Sequence, residues 1–187
     1  TGGVFADISV LLLEKVNNYA TVNGGNAVSA ASTGGIASEA MYSYSGNSYI
    51  KECHNSAEIF GGDAPLNSDF SDGIYIRTGG LFGSAIDISE VSNCSNSGKI
   101  NSKVIHKHPT YAPDNQVGGL FGNNSSNVNN CSNSGDIYVE RSGIVGGLAG
   151  ISGAGSKTFT SSVNTGNITM ADCCYSSKIG GIAGTNV

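Results

Sequence analysis

The 187-residue chain has no tryptophan, three prolines and two methionines, and only 12% of its residues are charged, about half the usual share. Each shortage removes a class of protein. Strong helix formers are too sparse for a helical bundle. Nine Lys plus Arg stand singly against fourteen Asp plus Glu, for a net charge of -5, so no basic stripe exists to follow a nucleic-acid backbone. The longest apolar run, Val10 to Leu13 in "ISVLLLEKV", falls far short of the roughly 20 residues a membrane helix needs, and no basic segment precedes it as in a signal peptide. There is no CxxC pair to seed a zinc site. The calcium nonapeptide GGxGxD is missing, and "GGLFG" lacks the Lys-Ser/Thr of a phosphate loop. No metal, cofactor or nucleic acid is expected, nor membrane insertion in this segment.

Glycine, by contrast, reaches 28 residues, with Asn and Ser abundant throughout. Glycine pairs recur at Gly2-Gly3, Gly34-Gly35, Gly79-Gly80, Gly118-Gly119, Gly146-Gly147 and Gly180-Gly181. Recurrence at this period marks a repeat architecture. A second line follows each of four pairs: "YIKECHNSAEI", "EVSNCSNSGKI", "NVNNCSNSGDI" and "FTSSVNTGNI". Aligned on the final Ile59, Ile100, Ile137 and Ile168, these lines put Cys53, Cys94, Cys131 and Ser162 in one column. Asn55, Asn96, Asn133 and Asn164 form a second, and Ala57, Gly98, Gly135 and Gly166 a third. The first unit is degenerate, with Tyr19 of "VNNYATV" at the Cys position.

Each unit holds three extended stretches, as in "VGGLFG", "NVNNCSN" and "DIYVE", separated by turn residues. Three short strands per coil describe a single-stranded, right-handed parallel β-helix, an all-β solenoid of about five coils with loop insertions, spanning residues 1–187 as one domain. Units start near residues 2, 34, 79, 118, 146 and 180. Stacking of equivalent positions turns Leu81, Leu120, Leu148, Ile182 and the Ile column inward. It also lets each Asn bond the Asn one coil away. The opening "TGGVFA" and closing "IGGIAGTNV" read as a piece of a longer array, and "ISVLLLEKV" as a helix or strand over an open end.

The cysteines fit the same scheme. Cys94 and Cys131 point inward as buried thiols, the alternative being a disulfide at strand spacing. Adjacent Cys173 and Cys174 read as one buried and one loop residue rather than a strained vicinal disulfide or a metal-binding pair. His106 and His108 in "HKHP" share a strand face that would suit a metal. Their place in a Pro-containing insertion, about Lys103 to Gln116, favours a solvated loop. Asp63, Asp69 and Asp72 lie in the other long insertion, about Phe60 to Arg77, and with Asp87, Asp136, Glu140 and Asp172 they read as surface and turn residues.

The glycine line and the Asn-Ser-Gly-Ile line together resemble the GLUG-motif repeats of bacterial cell-surface proteins. "GGLFG" at Gly79 and Gly118, "GGLAG" at Gly146 and "GGIAG" at Gly180 are clear units, while "GGVFA" and "GGIAS" diverge. The resemblance implies an extracellular repeat region of adhesin-like proteins or immunoglobulin A-cleaving metalloproteases, with catalysis in another domain and no catalytic residue in the repeat. A non-catalytic spacer or adhesin-like scaffold is therefore the expected function. Its expected partners are a host protein or glycan and neighbouring domains of the same polypeptide. Ligand contacts are expected at Tyr75, His106, His108 and Tyr111 on the insertions. The alternative is a carbohydrate-active β-helix enzyme, a polysaccharide lyase or glycoside hydrolase, which needs two carboxyl groups in one cleft.

Overall fold

The structure, a computed structural model, describes residues 1–9, 11–26, 30–42, 47–63, 75–103, 114–140, 143–153, 157–171 and 177–186. These form short strands and turns, with no helix. Every strand pairing is parallel and joins equivalent positions of successive repeats. One coil is typified by strands Tyr75–Gly79, Phe82–Ile86, Glu90–Ser92, Ser95–Asn96 and Ile100–Ser102. Each belongs to a different sheet, here called A to E in that order. Sheets A, C, D and E hold five strands and sheet B six. The result is a solenoid-like stack of parallel sheets.

A coil thus has five strands where the sequence pattern predicts three. The stretch "SEVSNCSN" is broken by Asn93, whose φ of 54° turns the chain between sheets C and D. The same left-handed corner recurs at Lys15, Glu52, Asn130 and Ser161, with φ between 48° and 58°. Only Asn tolerates this region readily, so Lys, Glu and Ser conceal the corner from a sequence pattern.

The divergent first repeats are in register. Phe5 pairs with Ala37, Leu13 with Ile50, Asn18 with Asn55, and Val22 with Ile59. That register places Val16, not Tyr19, in the cysteine column, and Tyr19 is 78% exposed. Within "ISVLLLEKV" the described residues follow the strand reading rather than the helix, in the terminal coil of the stack. Leu12–Glu14 is the first strand of sheet C, with Leu13 buried and Leu12 exposed.

Sheets A and B fold back on one another at the glycine pair. The third glycine of each motif makes this possible. A Cβ on Gly122 would lie 2.7 Å from Thr78 N and 2.9 Å from Gln116 O, and one on Gly150 2.6 Å from Val117 N. Backbone therefore packs on backbone, where no side chain fits. On its other side sheet A meets sheet E, where Val117 and Val145 cluster with Ile59, Ile100 and Ile137. Sheet B meets sheets C and D, where Phe82 and Phe121 cluster with Ile50, Val91, Val128 and the cysteines. The two phenylalanine rings stack with centroids 6.2 Å apart. The interior is two apolar columns divided by the A/B layer. Leu81, Leu120 and Leu148 are buried as expected, but Ile182 is exposed because no described coil lies over it.

Candidate functional site

Two side-chain ladders run through the stack. In the first, Asn18, Asn55, Asn96 and Asn133 each donate Nδ2–H to Oδ1 of the next Asn, at 2.7 to 2.8 Å, ending at Asn164. Each Nδ2 also donates to the carbonyl two residues on, as Asn96 does to Gly98 O at 2.8 Å. Oδ1 closes the turn by accepting the Gly98 N–H. Asn96 is 1% exposed, and such satisfaction is what a buried amide requires. The ladder lies against the second glycine of each pair.

In the second ladder, Cys94 Sγ accepts the Cys53 N–H at 3.3 Å and donates to Ser92 O at 3.2 Å. Cys131 repeats both bonds one coil on, toward Cys94 N and Asn129 O, and Ser162 Oγ takes over toward Cys131 N at 3.1 Å. Cys53, Cys94 and Cys131 are free thiols, in agreement with the sequence reading. Val16 serves at the first coil, which has no described coil on its outer side to accept from. The hydrogen-bonded neighbours Cys131 and Cys53, with burial, push the Cys94 thiol far above the ordinary range. A thiol so placed is inert as a nucleophile. Cys173 and Cys174 lie outside the described residues. Both ladders hold coils together, and neither presents a reactive group.

The surface candidates fall at the junction from sheet E to sheet A. Both long insertions span this junction in successive coils, after Ile59–Phe60 and after Ile100–Ser102. Tyr75 opens a sheet A strand there, paired with Ala30 and Asp114, and is 43% exposed. The Arg77 guanidinium stacks on its ring, 5.5 Å from the centroid. His106, His108 and Tyr111 lie outside the described residues, as do Asp69, Asp72 and Asp172. Asp63 corrects the sequence reading: it is buried at the base of the first insertion rather than on the surface.

Beneath the junction runs a buried polar seam. Thr33 Oγ1 accepts the Gly62 N–H at 3.2 Å, and Ser102 Oγ donates to Asn115 Oδ1 at 3.2 Å. Thr78 Oγ1 and Asn115 Nδ2 are buried with no hydrogen-bond partner. Among the described residues, charges are sparse and mostly offset in stacked positions, as where Lys15 approaches Glu52 at 4.0 Å. Asp7 over Glu39 is the exception, two acids in register on sheet B, held by Ser38 and by Ser32. No group of three or more His, Cys, Asp or Glu converges as metal ligands among the described residues. Sequence reading missed Arg77 and the Asp7–Glu39 stack, although the alternation Tyr75, Arg77 in "YIRTGG" carried a signal for the first.

No protein-family model, curated protein or solved structure matches the chain.

Proposed function

We propose that the chain is a right-handed β-helix of GLUG-type repeats, forming one non-catalytic module on a bacterial cell surface. It acts as a rigid, adhesin-like spacer between neighbouring domains, and its inserted loops bind a host protein or glycan. The observation carrying this reading is that both long insertions leave from one junction, in successive coils joined by the Tyr75–Asp114 pair. Binding residues concentrate on loops that a rigid scaffold positions. The interlocked ladders supply that rigidity, and the interior chemistry is spent on stacking rather than on a reaction.

The test replaces residues 64–74 and 104–113, separately and together, with a connection as short as the one after Ile137–Val139. Binding to host matrix proteins and to a glycan array is then measured. Loss of binding with an unchanged melting temperature supports the reading, and undiminished binding by the double replacement contradicts it.

One observation favours the enzymatic alternative. Asp7 and Glu39 are in register on adjacent strands of sheet B, so two carboxylates stand on neighbouring strands, the residue types a glycosidase pair is made of. Release of reducing ends or unsaturated sugars from a polysaccharide panel, lost in Glu39→Gln, would establish the enzyme and displace the spacer.

A further inference from the structure

We propose that Arg77 and Tyr75 form the anchor of an anionic-glycan site at the junction of sheets E and A. This rests on the adhesin reading above and names the ligand class of that surface. Arg77 is partly buried, and its Nε is buried with no hydrogen-bond partner. None of the three ion pairs among the described residues involves it. A guanidinium stays charged at any physiological pH, and leaving its buried Nε–H without an acceptor is costly. One coil earlier the equivalent position is Ser32, which donates to Glu39. The register that follows Ser32 with Arg77 also follows Glu39 with Ser84. The Arg77 coil therefore has a serine where the coil before it has a carboxylate, and the Ser84 Oγ is itself buried without a partner. The acid that would neutralise Arg77 from within the fold has been replaced by a neutral hydroxyl.

The chemistry of the surroundings selects the ligand. The planar fork of Arg suits a carboxylate or sulfate, which it holds by two parallel hydrogen bonds. Tyr75 presents an exposed ring that matches the C–H face of a sugar. Ser32, in register with Arg77, and Asn123, in register with Ser84, are partly exposed neutral groups suited to hydroxyls. With a net charge of -5 the protein does not draw an acidic polymer from a distance. Recognition is short-range and directed by Arg77.

The test measures calorimetric binding of a hexagalacturonate, its fully methyl-esterified form and a heparin hexasaccharide to the whole chain and to Arg77→Gln, Arg77→Lys and Tyr75→Leu. At least one of the two anionic sugars binds, the neutral ester does not, and Arg77→Gln weakens binding about 10- to 100-fold. Arg77→Lys keeps the charge but not the fork and falls between. Melting curves confirm that the variants are folded. The proposal is overturned if neither anionic sugar binds, if the ester binds equally well, or if folded Arg77→Gln binds as the parent does. Host-matrix binding that survives any of these results leaves the adhesin reading standing.

Discussion

A Cβ on Gly80 would lie 2.7 Å from Nδ2 of Asn96, so the glycine pair and the asparagine ladder are two halves of one contact. The same holds for Gly35 with Asn55, Gly119 with Asn133 and Gly147 with Asn164. The two sequence lines recur together because each makes room for the other.

Substitution along this glycine column tests the contact. Gly119→Ala drives a methyl into Asn133 and into the next coil's backbone, and overpacking of this kind costs about 1–3 kcal/mol. Gly181 holds the same motif position but has nothing within 4 Å. Gly181→Ala should leave stability within about 0.5 kcal/mol of the parent. Urea unfolding of the two variants decides it, and equal effects would count against the contact.

The ladder itself should be intolerant of a carboxylate. Asn96→Asp still accepts from Asn55 but faces Gly98 O and Asn133 Oδ1 with acceptors where Asn96 donated. It also buries a charge, which raises the acid's pKa in the folded state. The loss should exceed that of Asn96→Ala at pH 7, itself about 2–3 kcal/mol from unmet buried amides. It should shrink as pH falls through that raised pKa and the acid is neutralised. Melting temperatures of both variants across pH 4 to 8 measure this.

Cys94 gives a graded series. Cys94→Ser keeps an acceptor for the Cys53 N–H, as Ser162 does for Cys131, and should cost about 1 kcal/mol. Cys94→Ala strands that buried N–H, for about 1–3 kcal/mol. The hydrogen bonds of the ladder and burial raise the thiol's folded-state pKa, so its contribution is complete below the unfolded thiol pKa of about 8.5 and is lost as pH rises above it. Stability of the parent should therefore fall more steeply than that of Cys94→Ser between pH 8.5 and 10.

The left-handed corner offers a stabilising change. Glu52 has φ 53° where the next coils place Asn93 and Asn130, whose side chains bond each other at 2.7 Å. Glu52→Asn should add about 1 kcal/mol through backbone compatibility and a longer ladder. The exposed approach to Lys15 that it gives up is worth little. A raised urea midpoint is expected.

Register was legible in the sequence because stacking like on like leaves columns: the glycine pairs, Asn55 to Asn164 and the thiols all fall where alignment of the repeats puts them. Tyr19 was misplaced because the first unit keeps only Asn18 and Val22 of the pattern, and Val16 needs no acceptor. The A/B layer was not legible, since a glycine required for sheet-on-sheet contact looks like one required for a bend. Its signal was the third glycine, Gly83, Gly122, Gly150 and Gly184, in a single column. The Arg77 surface escaped notice because one residue in one coil produces no repeat.

The most direct test of the interlocked stack is hydrogen exchange of asparagine side-chain amides by NMR on protein labelled at Asn Nδ2. The account predicts that Asn55, Asn96 and Asn133 exchange only through global opening, with through-space contacts linking each amide to the next. Exchange of these three at the rate of exposed asparagines such as Asn17 would contradict it.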